Sequence, residues 1–340
     1  KIITAIVVAL GNFCFAVSLI SALRLPVSYL GIAACIPSTI FFLAYANVRF
    51  VRTIITRVAI ADFSKANDVA IEAGGLPILR HPGADLGETE ILLIDPLEHH
   101  SEDWSPLLAK CYLSGVEIMP WTRYIELMRG RLDVSSFDVS HLAYTPTQQL
   151  YARAKRALDV FTVFLSLPLT LPLATVVALY VSIRDGGPVI FVQLRRGYAG
   201  RPFRMYKFRT MYRGRGGGAT SVSDRRIIPG CGIIRKIRLD ELPQLYNILR
   251  GEMSFIGPRP EALDLDRHYE RVIPKYPMRQ LVLPGITGWA QVNNGYTSNP
   301  DEALTKLSYD LYYIKHMSLD LDLQVLARTI RTIVFAAGAR

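Results

Sequence analysis

Asp240 and Glu241 are adjacent carboxylates set in a run of cations: Arg235, Lys236 and Arg238 precede them, and Arg250 and Arg259 follow. Paired carboxylates can hold a divalent cation, and guanidinium groups grip phosphate oxygens in planar forks. Together they suit a phosphorylated, anionic substrate bridged by a metal. Taken alone, an acidic pair flanked by arginines is more often a solvated helix face. Here Leu239, Leu242 and Leu245 put the pair at the edge of an apolar stripe. On an amphipathic helix, neighbouring side chains point about 100° apart, so one carboxylate can reach phosphorus while the other sits on the metal. The surrounding arginines are expected to lower the Asp240 pKa and keep it ionised. A carboxylate nucleophile would split exchange between two phosphates into two displacements that reuse one cationic pocket.

The element expected to position this chemistry is Ala157–Ile183, about 27 residues with a single charge, Asp159. Its length would cross a bilayer, yet both flanks are basic, with Arg153, Lys155 and Arg156 before it and Arg184, Arg195, Arg196 and Arg201 after. A simple span should be asymmetric in Lys and Arg. Pro168 and Pro172 fall near its middle, where each removes a backbone donor. Symmetric flanks and a central break predict a re-entrant helix that dips in, bends near these prolines and returns to the same side. Downstream, the Asp185–Pro188 turn leads into strand-like Val189–Gln193 and Phe203–Phe208. Leu319–Phe335 reads as a surface helix lying on protein or lipid headgroups.

Upstream, residues 1–47 are almost uniformly apolar except at Arg24–Leu25–Pro26, which predicts a transmembrane helical hairpin. Arg49, Arg52 and Arg57 then place the emerging chain in the cytoplasm. Position 1 is not Met, so the start is expected to be trimmed from a longer chain. Residues 58–145 predict a degenerate, Rossmann-like βαβ domain: strands at Glu90–Asp95 and Val116–Trp121, with helical spacing over Ser101–Ser114. No G-x-G-x-x-G opens a helix there, so a structural or oligomerising role is expected. Glu98, His99, His100, Glu102 and Asp103 imitate a metal cluster but read as a solvated loop.

The 340 residues are half hydrophobic and carry a formal charge of +10. High hydropathy beside positive charge favours a membrane surface or phosphorylated substrates over nucleic acid, for which no recognition element is present. Glycine-rich Arg213–Gly218 lacks the ending of a phosphate-cradling loop. Cys14, Cys35, Cys111 and Cys231 form no C-x-x-C pair, which predicts neither zinc knuckle nor disulfides. The fold expected is therefore an α/β membrane protein with a mainly helical catalytic domain at 150–340, built around the helix at 157–183.

LDELPQL (Leu239–Leu245), SFIGPRP (Ser254–Pro260) and PGITGWAQVN (Pro284–Asn293) occur in that order after Lys155–Arg156 and YKFRTM (Tyr206–Met211). In these motifs the chain closely resembles the bacterial sugar transferases, monotopic phosphoglycosyl transferases acting on polyprenyl phosphate. The N-terminal half resembles the larger members, which add transmembrane helices and a Rossmann-like domain. The resemblance implies a bacterial inner-membrane enzyme facing the cytoplasm, with Mg²⁺ as cofactor. It implies a ping-pong reaction in which Asp240 takes a phosphosugar from a UDP-sugar, expels UMP and passes the phosphosugar to undecaprenyl phosphate. Glu241 would be a metal ligand with Asp240 or orient the nucleophile, and Arg235, Arg259 and Lys207 would bind phosphate. Where the family has Ser-Pro at the helix break, this chain has Leu171–Pro172, with Ser166 more than a turn away. Trp289 is expected at the membrane interface or in the donor pocket, Gln291 and Asn293 are candidate polar contacts, and Tyr309, Tyr312 and Tyr313 are expected to pack or to sit at the interface. The partners expected are a UDP-sugar, undecaprenyl phosphate, membrane lipid and further copies of the chain. The alternative is a non-catalytic scaffold binding anionic lipid. The sugar itself is not legible.

Overall fold

Val58–Ala61 (β1) is buried along its whole length, because its two faces pack into two different cores. A computed structural model describes residues 57–99, 102–134, 137, 146–212, 224–294 and 300–334. The expected hairpin at 1–47, His100 and the glycine-rich Arg213–Gly218 lie outside these residues. The chain divides into two compact units between Arg129 and Gly130.

In the first unit β1 is followed by α1 (Ala66–Glu72), β2 (Ile78–Leu79), β3 (Ile91–Ile94), α2 (Ser105–Leu113), β4 (Glu117–Pro120) and α3 (Trp121–Arg129). All strand pairs are parallel, in the order β2-β1-β3-β4. Side chains alternate across a strand, so Val58 and Ile60 face α1 and α3 through Val69, Ala70 and Ile125. Ala59 and Ala61 face α2 through Leu107 and Cys111. The expected βαβ unit is present as β3-α2-β4, with Trp121 opening α3 instead of ending the strand. The loop after β3 departs from the solvated expectation at one position. His99 is buried edge-on between Trp104 and Phe63, while exposed Glu98 accepts hydrogen bonds from Ser64.

The second unit begins with α4 (Pro146–Asp185), 40 residues and about 60 Å at 1.5 Å per residue. The helical backbone continues through Pro168 and Pro172, and no gap in the helix marks the expected break. Ser166, Thr170 and Thr175 donate to the carbonyls of Val163, Ser166 and Leu171 around the proline turns. One face of α4 is anchored on both sides of the prolines. Arg156 donates to the Ile248 and Leu249 carbonyls, and Val163 packs on Met205 and Met253. Beyond the prolines, Val177 and Val181 pack on Phe208 and Ile228, and Asp185 pairs with Arg209. The other face exposes Phe161, Phe164, Leu165, Leu169, Leu171, Val176, Leu179 and Ile183. So long an apolar face left in water would be costly, which makes α4 the candidate membrane helix of the described residues.

An antiparallel hairpin follows, β5 (Ile190–Arg196) and β6 (Pro202–Phe208), where strands were expected. Next come α5 (Cys231–Lys236), a single 3₁₀ turn at Leu239–Glu241, α6 (Gln244–Leu249), β7 (Ser254–Ile256) and α7 (Leu263–Val272). Then β8 (Gly285–Thr287), α8 (Trp289–Asn293), α9 (Pro300–Lys315) and α10 (Leu319–Val334) complete the unit. β8 pairs parallel with β7. The core joins Ile256, Tyr276, Trp289, Leu307, Leu311 and Tyr313 to Leu321 and Val325 of α10. The C-terminal helix thus lies on protein, with Leu326 and Ile330 exposed on its other side.

Candidate active site

Two of the sequence motifs meet backbone to backbone. Gly257 of SFIGPRP and Gly285 and Gly288 of PGITGWAQVN lie so close that a Cβ on Gly285 or Gly288 would fall 2.1 or 2.2 Å from the Gly257 main chain, and one on Gly257 would fall 2.3 Å from the carbonyl oxygen of Leu283, just before the second motif. The Gly257 amide donates to the Thr287 carbonyl and the Gly285 amide to the Pro258 carbonyl, each at 2.9 Å. These glycines therefore serve close approach, and the loop they support carries Arg259.

The acidic pair is delivered by a turn. Arg238 takes left-handed backbone (φ 59°, ψ 22°), which ends α5 and starts the 3₁₀ turn. Sequence spacing predicted an amphipathic helix here, and the leucines explain the difference. Leu239 and Leu242 pack with Val177 and Val181 of α4, so the turn is shaped by its contact with the candidate membrane helix.

Glu241 is buried and ringed by cations. Its Oε1 lies 3.2 Å from Lys207 Nζ on β6 and 3.1 Å from Arg259 Nη2, and its Oε2 lies 3.5 Å from Arg238 Nη1. Burial pushes its pKa up, but Arg259, Lys207 and Arg238 together hold it down at about 2. Asp240 behaves in the opposite way. Burial, followed by the Glu241 charge, pushes its carboxyl up to about 6 against the pull of Lys207 and Arg235. The expected lowering of the Asp240 pKa is thus reversed, because burial and the Glu241 charge outweigh the cations within reach. Burial and Arg259 push Lys207 down to about 8, against the pull of Glu241 and Asp240. Arg235 on α5 donates to Thr210 Oγ1 at 3.2 Å.

Lys207, Arg235, Asp240, Glu241 and Arg259 are therefore brought together. Trp289, Gln291 and Asn293 are not. Trp289 is a core residue: its Nε1 donates to the Gly130 carbonyl at 2.6 Å and its ring stacks on Tyr312, so it is no interface anchor. Gln291 and Asn293 donate to carbonyls of their own segment, Ile286 and Trp289. Tyr312 and Tyr313 pack as expected, Tyr313 against the Asp322 carboxylate. The sequence reading missed Arg279, Glu261, Lys306 and Asp310, a buried charge cluster behind Arg259. Its members lie far apart in the chain and share no local spacing.

Residues 150–336, more than half of the chain, match the family described as bacterial sugar transferase. The chain belongs to this family. Over 241 residues it is 38% identical to the UDP-N-acetylgalactosamine-undecaprenyl-phosphate N-acetylgalactosaminephosphotransferase of Aeromonas hydrophila, covering 70% of this chain and 57% of that protein. It is 37% identical over 212 residues to the undecaprenyl-phosphate glucose phosphotransferase of Komagataeibacter xylinus, covering 60% and 40%. It is 34% identical over 222 residues to the UDP-glucose:undecaprenyl-phosphate glucose-1-phosphate transferase of Escherichia coli K12, covering 64% and 48%. The chain spans about half the length of these curated relatives. In this bacterial sugar transferase the matched stretch contains all but the first four residues of α4, the acidic turn and all five clustered site residues.

Proposed function

We propose that this sugar transferase moves a sugar 1-phosphate from a UDP-sugar to undecaprenyl phosphate at the cytoplasmic face of a bacterial inner membrane, in two displacements. An Asp240 oxygen attacks the β-phosphorus of the UDP-sugar, and the bond from that phosphorus to the bridging oxygen breaks, releasing UMP. A phosphate oxygen of undecaprenyl phosphate then attacks the same phosphorus, the bond to Asp240 breaks, and undecaprenyl-diphosphate-sugar leaves. The observation that carries this reading is the placing of the acidic pair on one turn beside α4, with Lys207 and Arg259 within 3.2 Å of Glu241; the split in pKa within the pair agrees with it. A carboxyl near pKa 6 is mostly ionised at pH 7 yet more basic than an ordinary aspartate, which suits a nucleophile. The neighbour near 2 stays charged throughout and holds Lys207, Arg259 and Arg238 in place. The names of the relatives support the same donor and acceptor classes.

Asp240 and Glu241 also fit Mg²⁺. The buried Oε2 of Glu241 has no hydrogen-bond partner, and two carboxylates suffice for a cation that keeps waters and takes phosphate oxygens. Bound there, Mg²⁺ would neutralise charge on the phosphates. Arg259, Arg235 and Lys207 hold phosphate oxygens, and α4 brings the lipid-linked acceptor to the same turn. In this reading α4 enters one leaflet and returns, since both of its halves are anchored on one unit. The reaction is the first membrane step of a surface polysaccharide, and the chain works as a homo-oligomer without nucleic acid.

Full chain incubated with a panel of UDP-sugars, Mg²⁺ and undecaprenyl phosphate should release UMP with one or a few donors. Asp240→Asn should abolish the release, and release that survives the substitution removes Asp240 as nucleophile. For re-entry, cysteines at the exposed Arg153 and Arg184 should both react with reagent from the cytoplasmic side. Labelling from opposite sides would instead establish a full span.

A further inference from the structure

Arg279 belongs to none of the sequence motifs, yet it is 5% exposed and its guanidinium is fully engaged. It lies in the turn Tyr276–Leu281. Nε and Nη2 donate to the Asp310 carboxylate of α9 at 3.1 and 2.8 Å, and Nη1 donates to the Tyr276 hydroxyl at 2.8 Å. Nη1 also lies 3.5 Å from Glu261 Oε1. A structural ion pair would need no more than this. Nη2, however, also donates to the main-chain carbonyl of Arg259 at 2.8 Å.

That bond completes a series. Gly257 and Pro258 are fixed by their main-chain bonds to Thr287 and Gly285. The Pro260 carbonyl accepts from Arg195 Nη1 at 2.9 Å, and the Glu261 carboxylate pairs with Lys306. Arg279 fixes the one residue between them. Five consecutive residues outside any strand or helix are thus held, and the side chain leaving the middle one reaches Glu241 at 3.1 Å. A phosphate-gripping fork works only at its set angle and distance, and displacement by about 1 Å can cost on the order of 100-fold in rate.

We infer that Arg279 is a positioning residue for the transfer reaction, holding the Arg259 main chain so that the Arg259 guanidinium is aimed at the donor phosphates. The inference rests on the reading of Arg259 as a phosphate-binding group. Lysine at 279 would keep the charge but offers one nitrogen in place of the three from which Arg279 reaches Asp310, Tyr276 and the Arg259 carbonyl.

The test is a double-mutant cycle on the full chain, reading equilibrium affinity for UDP with Mg²⁺ present, together with the thermal transition. Arg259→Lys and Arg279→Lys should each weaken UDP binding about tenfold, and the double variant should be no weaker than the worse single one. Additive losses would overturn the inference, because Arg279 would then act independently of Arg259. Unchanged affinity in Arg259→Lys would remove the phosphate-binding reading and this inference together. Tyr276→Phe keeps the ring and removes one acceptor, so it covers the case in which Arg279→Lys fails to fold. It should weaken binding about threefold in the native background and not at all in Arg259→Lys, and equal losses in both would overturn the inference.

Discussion

Glu98 in the first unit and Glu241 in the second both have lowered pKa values, for opposite reasons. Glu98 is fully exposed, and the hydroxyl and amide of Ser64 lower it. Glu241 is buried, a penalty that three cations overcome. The first arrangement closes a turn between strand ends with neutral donors, and the second stores positive charge where water is scarce. A perturbed carboxylate alone therefore does not mark a reaction centre. Burial among cations does not suffice either, since Glu261 is held down in the same way by Lys306 and Arg279; what sets Glu241 apart is the adjacent Asp240, whose carboxyl is pushed up beside it.

Exchanging these glutamates should separate the two cases most widely. Glu241→Gln leaves Lys207, Arg259 and Arg238 without their shared anion, and UMP release should fall by on the order of 100-fold or more. Glu98→Gln should leave the rate within about twofold. Equal effects in one assay would erase the distinction.

Glycines sharpen the comparison at the level of stability. Gly257→Ala drives a Cβ to 2.3 Å from the Leu283 carbonyl oxygen and should cost roughly 3–5 kcal/mol by chemical denaturation. In the first unit Gly74 has φ +90° but open space around it, so Gly74→Ala should cost only about 1–2 kcal/mol.

The acidic pair should oppose itself with pH. Asp240, raised from 3.8 to about 6, disfavours the folded state once ionised. Its penalty is absent below about pH 4 and complete above about pH 6. Glu241, lowered from 4.5 to about 2, stabilises above about pH 4.5 and loses that contribution as pH falls towards 2. Asp240→Asn should accordingly raise Tm by a few degrees at pH 7, about 1 kcal/mol or more, and by nothing near pH 4. In the native chain kcat/KM should fall as the pH drops, since both the attack on phosphorus and Mg²⁺ binding need Asp240 ionised.

The smallest effect belongs to Arg238. Glycine accepts its φ of 59° without strain, so Arg238→Gly should keep the turn and remove one of three cations. UMP release should drop about two- to fivefold with Tm within about 2 °C. A larger loss would give Arg238 a direct part in the chemistry.

What was legible in the sequence follows the range of the interactions. β3, α2 and β4 are readable because period-2 and period-3.6 patterns record burial residue by residue, and α4 because a long apolar run records its surroundings. Asp240, Glu241 and Arg259 stood out because local motifs carry them. The direction of the Asp240 pKa was not readable, since it is set first by burial against segments distant in the chain, which local charge spacing does not record. Trp289 was misplaced because an indole donor can end in a core on a carbonyl as readily as at an interface. Arg279 was invisible, since its partners at 259, 261 and 310 share no spacing.

The central claim is a covalent bond between phosphorus and the side chain at position 240. The most direct measurement incubates full chain with a UDP-sugar it turns over and Mg²⁺, withholds undecaprenyl phosphate, quenches the mixture in acid and maps the peptides by mass spectrometry. A phosphosugar adduct on the peptide containing Asp240, with about one UMP released per chain, is the predicted result. Full turnover when the lipid is added, with no adduct at that residue when it is withheld, would contradict the account.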